Sequence, residues 1–256
     1  MTTTVASANI LYKLGSGDAT TALEQVLATE PDLVGLQEWY VSRLPLLRRT
    51  GDVRTVPSLG RLSVPGPGPG PGPRRYHWVS SISCGNVVGA RADRFDLIRA
   101  DDVLLSGIGR SDRPDRFLGT EPPRLVTIGL YADKQIDRTV AMMSYHLCPG
   151  VEEDGRYISE RPLLIARHQQ EIKRLQALIA EYQRAGHVVY AVGDSNFDSQ
   201  RLAGLTSSWV GREDAPGTIG SRTRKLDDVH GPGPATEVTL ISTPSDHRAM
   251  LAVRED

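Results

Sequence analysis

Two periods of hydrophobic and polar positions alternate along the chain, and each change of period marks an element. Residues 4–12, TVASANILY, alternate with period two and predict a strand. GDATTALEQVLATEPD (17–32) follows with helical spacing, with Asp18 placed as its N-cap and Pro31 beyond its end. DLVGLQE (32–38) is again strand-like and closes on Glu38. Further strands are predicted at WVSSIS (78–83), NVVGAR (86–91), DLIRADDVLL (96–105), RLVTIGLYA (124–132) and TVAMMSYHL (139–147). The longest helix runs over Arg161 to Arg184, with an apolar stripe of Leu164, Ile172, Leu175, Ile179 and Tyr182 and with Gly186 at the C-terminal cap. HVVYAV (187–192), RKLDDVHG (224–231), EVTLIS (237–242) and HRAMLAV (247–253) complete the pattern. Strands from both ends of the chain, mixed with few helices, predict one α/β sandwich whose sheets combine early and late strands.

One segment obeys neither period. From Pro65 to Pro73 the chain repeats Pro-Gly, and prolines cannot donate into a ladder or a helix. The segment predicts an exposed loop within a single domain, 1–256, rather than a boundary. The 256 residues, 39% hydrophobic and 24% charged, have the composition of an ordinary globular protein with a substantial core. No apolar run approaches the ~20 residues that span a bilayer. MTTTVASANILYKL has no basic region followed by an apolar one, as a secretory leader would. Cys84 and Cys148 are too few for a disulfide framework, lack metal-ligand spacing, and read as small buried hydrophobes. The expectation is a cytoplasmic protein with no membrane association and no obligate protein partner. The formal charge of −1 does not mark a nucleic-acid binder, but seven arginines (43, 48, 49, 54, 61, 74, 75) stand against Asp52 alone. With four lysines in the whole chain, that cluster reads equally as solvated surface or as a phosphate-contacting one.

Polar residues of a particular kind stand where strands end. They are Asn9, Glu38, His146, Asp194, Asn196, Asp227, Asp246 and His247. A carboxylate beside an apolar run needs a cation, a donor network or water. The set fits one chemistry. Glu38 and Asp246 can hold Mg²⁺, which takes one or two carboxylates and keeps its waters. Asp194 can orient or deprotonate a water, and Asn196 can meet a phosphate oxygen without repelling it. His247 paired with Asp227 can stay protonated to stabilise a pentacovalent state or a leaving oxygen. That is metal-assisted hydrolysis of a phosphate ester. Asp194-Ser-Asn196-Phe-Asp198 also opens like a calcium-binding loop, but Ser199 and Leu205 stand where that loop needs glycine and glutamate.

Gln37-Glu38, GDSN at 193–196, KLDD at 225–228 and SDH at 245–247, in this order, resemble the endonuclease/exonuclease/phosphatase superfamily of deoxyribonuclease I. The resemblance spans Asn9 to His247. It implies a four-layer α/β/β/α sandwich of two packed mixed sheets and Mg²⁺, or Mn²⁺ in its place, as cofactor. It implies Asn9, Glu38 and Asp246 at the metal and His146, Asp194, Asn196, Asp227 and His247 as catalytic residues. Arg124, with Asn196, would contact the substrate phosphate. In place of the tyrosine or glutamate common in the middle strands stands CGNVVGAR, and Asp228 follows Asp227 where an aromatic is common. The expected function is a nuclease acting on DNA or RNA, a reading prompted by the arginine cluster and by Arg222, Arg224 and Lys225 beside Asp227. The competing readings are a phosphomonoesterase for a small phosphorylated molecule or lipid, and a non-catalytic member that binds through the Pro-Gly loop.

Overall fold

A computed structural model describes residues 2–57, 60–63, 75–219 and 223–255. The Pro-Gly repeat, Arg74 and Arg222 lie outside the described residues. The period-two segments pair into two seven-stranded sheets. The first runs, edge to edge, Ala235–Ile241, Ala249–Glu255, Thr2–Asn9, Leu33–Gln37, Val87–Arg91, Tyr76–Ser81 and Gly51–Val56. The second runs Thr206–Ser207, Asp227–Gly231, Val188–Asp194, Arg138–His146, Arg124–Asp133, Phe95–Ser106 and Arg61–Ser63. Both are mixed: Thr2–Asn9 is parallel to Leu33–Gln37, Gly51–Val56 to Tyr76–Ser81, and Arg138–His146 to Val188–Asp194.

Alternation along each strand sorts side chains into layers. Val5, Leu33, Val88, Met142, Tyr190 and Val192 fill the space between the sheets. Their neighbours Ala6, Ala8, Val34 and Leu36 face outward, against helix α1 (Ser16–Leu27) and the short α2 (Leu44–Arg48). On the other side Ala141, Met143, Val189 and Ala191 pack under α3 (Pro162–Arg184). The result is the four-layer α/β/β/α sandwich, and each fully buried Val or Leu contributes about 1.5–3 kcal/mol to it. Helix α1 buries Ala19, Ala22, Leu23, Val26 and Leu27 at helical spacing. Its N-cap is Gly15 rather than Asp18, which sits in the first turn, where its charge complements the helix dipole. The helix stops at Leu27, well short of Pro31, as Glu30 turns into the left-handed region at φ 50°. Three strands of the two sheets escape the sequence pattern: Gly51–Val56 is a half-exposed edge, Arg61–Ser63 has three residues and Thr206–Ser207 has two.

The two ends of the parallel strands differ in character. At the end where Thr2–Asn9 and Leu33–Gln37 begin, the buried Arg94 joins the sheets, donating to Asp133, Asp32 and the Thr3 hydroxyl at 2.6–3.2 Å. At the end where they finish, the links are short side chains: Gln37 Nε2 donates to Ser144 Oγ at 3.0 Å, and Ser144 Oγ to the Leu36 carbonyl at 2.9 Å. Gly35 allows this close approach, because a Cβ there would lie 2.1 Å from Val192 Cγ2. The second end is where the polar strand-end residues collect.

Candidate active site

Register brings the candidate residues together. His146 is the parallel partner of Asp194, and Asp194 is the antiparallel partner of Asp227, so three adjacent strands end side by side. Asn9, the partner of Gln37 in the facing sheet, crosses over to donate from Nδ2 to Asp194 Oδ2 at 3.0 Å. The strand needs glycine at 193, where a Cβ would meet the Tyr145 carbonyl oxygen at 2.0 Å and φ is +154°, and it ends one residue later at Asp194. Beyond it the chain turns tightly. The Asn196 N–H donates to Asp194 Oδ1 at 2.7 Å, Asn196 takes φ 52°, and one hydrogen of its amide goes to the Leu147 carbonyl at 3.0 Å. Asparagine tolerates that backbone better than most residues. His168 of α3 supports the turn through its ring Nε2, 2.7 Å from the Ser195 carbonyl oxygen.

Asp194 Oδ2 is the focus of the site. Besides Asn9 it has His146 Nε2 at 3.7 Å and His247 Nε2 at 3.9 Å. His247 Nδ1 donates to Asp227 Oδ2 at 2.7 Å. Asp228 faces away, accepting from the Ser208 N–H at 3.0 Å beside His230, so the inward residue of the Asp227-Asp228 pair is Asp227. Burial disfavours a charge on His247, but the carboxylates of Asp227 and Asp194 outweigh it, and its pKa is pushed up to about 10. Burial, then the neighbouring Asp227, push Asp194 up to about 7. His146 moves the other way: burial, Arg124 and His247 hold it well below its ordinary range, so it is neutral. The site therefore pairs a cationic histidine, a neutral one and a carboxyl poised near neutrality.

On the rim, Glu38 takes φ 58° and its Oε2 accepts from the Tyr12 N–H at 2.9 Å. Asp246 is exposed, and its neighbour Ser245 is fixed by Oγ, which donates to the Asn9 carbonyl at 2.8 Å and accepts from the Leu11 N–H at 3.1 Å. Asn9 Oδ1 is buried without a hydrogen-bond partner. An orphaned amide oxygen and the carboxylates of Glu38 and Asp246 are oxygen donors of the kind a hard cation takes. Asp194, Asp227 and His247 also bring ligand atoms within 4.8 Å of one another. A doubly protonated imidazole has no lone pair to offer a metal, so these three suit proton transfer better. Arg124 Nη1 reaches the His146 carbonyl at 3.5 Å and, with Glu38, Tyr40, Cys84 and His146, lines a pocket of about 120 Å³. Cys84 is thus half-buried at this pocket rather than a core residue, while Cys148 is buried.

Gly85 was not anticipated from the sequence. A Cβ there would lie 2.9–3.0 Å from the Glu38 Cα and carbonyl carbon and the Trp39 nitrogen, and Gly85 accepts from the Trp39 N–H at 2.8 Å. All three atoms are backbone and none can swing aside. Gly85→Ala is expected to displace Glu38, costing roughly 1–3 kcal/mol of stability and weakening divalent-cation binding. Thermal unfolding and calorimetric titration of Mn²⁺ check it; unchanged Mn²⁺ affinity would separate Glu38 from the cation.

The arginine cluster does not gather at this site. Arg43 is buried, Arg61 pairs with Asp101 at 2.9 Å, and Arg48, Arg49 and Arg54 are exposed on or beside the Gly51–Val56 edge, three strands from Leu33–Gln37. Arg224 pairs with Glu152, and Lys225 donates to the Glu213 carbonyl.

No protein-family model and no curated protein matches the chain. Solved structures do match. TDP2 of D. rerio complexed with single-strand DNA product has a TM-score of 0.64 at 15% identity, over 98% of this chain and 98% of that one. An endonuclease/exonuclease/phosphatase family protein from Bacteroides thetaiotaomicron reaches 0.66 at 17% identity, over 99% and 94%. The mannosyl-6-phosphatase of the same species reaches 0.64 at 17%, over 99% and 100%. The chain shares their fold across its length, the deoxyribonuclease I-like sandwich that the order of motifs implied.

Proposed function

We propose that this chain, with the sandwich fold of the endonuclease/exonuclease/phosphatase structures, is a divalent-metal-dependent hydrolase of phosphate esters whose substrate is a nucleic-acid strand. The observation that carries the reading is the convergence of Asn9, His146 and His247 on Asp194 Oδ2. Asp194 takes the proton of the attacking water, the use to which a carboxyl with pKa near neutrality is suited. As the bond from phosphorus to the leaving oxygen breaks, that oxygen takes a proton from His247 Nε2, and Asp227 holds the imidazolium by its Nδ1–H. Neutral His146, Asn196 and Arg124 meet the phosphate oxygens. Glu38, Asp246 and Asn9 would hold Mg²⁺ or Mn²⁺, which when bound supplies neutralisation of phosphate charge.

Two neighbours support different substrates. TDP2 is described with single-strand DNA product, which favours a phosphodiester strand; the mannosyl-6-phosphatase favours a phosphomonoester of a sugar as the second reading. The test is digestion of supercoiled plasmid, linear duplex, single-stranded DNA and RNA, alongside phosphate release from mannose 6-phosphate. Cleavage of a strand is expected with Mg²⁺ or Mn²⁺, falling more than about a hundredfold in EDTA. Metal-independent cleavage would remove the roles given to Glu38, Asp246 and Asn9. Phosphate release with no strand cut would move the chain to the second reading.

A further inference from the structure

Beside Glu38 the fold leaves two tyrosines in water. Tyr12 is 54% and Tyr40 47% exposed, and their rings meet edge to face with centroids 6.3 Å apart at 84°. Both belong to the site. The Tyr12 N–H is held by Glu38 Oε2, and Tyr40 lines the pocket that also contains Glu38, Arg124 and His146. The two loops that carry them are tied by one buried side chain. Arg43 donates to the carbonyls of Ile10 and Leu11 at 2.8 Å, Leu14 at 3.1 Å and Glu38 at 3.4 Å, and its guanidinium stands 5.6 Å from the Trp39 ring centroid. Four carbonyls from two loops on one planar fork fix the loops relative to each other. An exposed aromatic pair is unfavourable in water, yet here it is anchored rather than tucked away.

We propose that Tyr12 and Tyr40 form a stacking platform for the nucleobase next to the phosphate that is cut. The proposal rests on the nuclease reading and names how that site holds its strand. The patch is two rings bordered by the charged Glu38, Lys13 and Arg124, a shape that suits one planar ring attached to a phosphate chain better than an apolar peptide. Lys13 Nζ lies 5.6 Å from the Tyr12 ring centroid, where a cation serves the next phosphate along. Every base has a π-face, so such a platform grips the strand without reading its sequence.

The test compares fluorescein-labelled oligothymidylate with a tetrahydrofuran oligomer of equal length, which keeps the phosphates and lacks the bases. Binding is read by anisotropy with Ca²⁺ replacing Mg²⁺ to slow turnover, and KM and kcat are measured with Mg²⁺. Tyr40→Ala and Tyr12→Ala are expected to weaken binding of the thymidylate about fivefold to a hundredfold. They should raise KM more than they lower kcat, and change affinity for the abasic strand less than twofold; Tyr40→Phe, which keeps the ring, should recover most of the thymidylate binding that Tyr40→Ala loses. Because both side chains are half exposed, circular dichroism should show the variants folded. Equal losses on both strands, or none on either, would overturn the platform while leaving the nuclease intact. If wild-type protein neither binds nor cuts any strand, the nuclease reading and the platform fall together. If mannose 6-phosphate is then hydrolysed with KM raised by Tyr40→Ala, the rings hold a sugar instead.

Discussion

His247→Gln is expected to lower kcat/KM for phosphodiester cleavage by about 10²–10⁴-fold, the range of a lost proton donor and a lost charge at the transition state. Glutamine can still donate to Asp227, so the buried carboxylate keeps a partner, whereas alanine would strand it beside Asp194 and destabilise the protein as well. Asp227→Asn should cost less activity than His247→Gln, and the double variant little more than His247→Gln alone, because the two act as one unit. The pH dependence follows from the raised pKa of His247, about 10. A cation held above its unfolded value stabilises the folded state fully below pH ~6.5, and that contribution is lost as pH rises towards 10. The wild-type thermal midpoint should decline across that window, whereas activity should fall only as pH nears 10 and folded His247 loses its proton; His247→Gln should show neither slope. A variant within threefold of wild type would remove His247 from the chemistry.

How far the sequence led can be seen in which residues it placed. Asp194 was legible because it closes an apolar run at a strand end, where a buried charge needs a reason, and His247 because it follows Asp246 directly before the last strand. The four layers followed from alternation, since Val5 and Ala6, or Val192 and Ala191, must face opposite ways on one strand. Arg43 was not legible. It stands in a run of arginines, and composition cannot distinguish a guanidinium satisfied by four carbonyls from one in solvent. Nor could Gly85 be read, since its need for hydrogen in place of a Cβ comes from Glu38, 47 positions away. The start of α1 was misplaced because Asp18 looks like a cap, while Gly15 begins the helix with backbone geometry alone. Close approaches between distant segments leave no periodic trace, and these are what hold the rim of the site.

Asp194→Asn is expected to move activity and stability in opposite directions, which a structural carboxylate would not do. With no base to take the proton of water, kcat should fall by about 10²–10⁴-fold. The acid limb of the wild-type profile, which drops below pH ~7 as Asp194 takes up its proton, should vanish from the residual activity. Stability follows the reverse sign. Burial and Asp227 raise this carboxyl above its unfolded value near 3.8, so its ionised form weighs against the fold progressively as pH rises from 4 to 7. Asparagine has no charge to bury there. The Asn196 N–H can still donate to an amide oxygen at Asp194's position, and Asn9 can rotate so that its orphaned Oδ1 accepts the new N–H. At pH 8 the variant should therefore be more stable by about 1–4 kcal/mol, the upper figure being the full cost of the shifted ionisation. The advantage should disappear below pH ~4, where both side chains are neutral. Chemical denaturation at pH 8 and pH 4, with kcat measured on the same samples, checks both halves. If Asp194→Asn loses stability along with activity, the carboxylate is a brace between the two sheets. If it gains stability while losing kcat, the fold keeps a destabilising charge at the end of that strand because the hydrolysis needs it there.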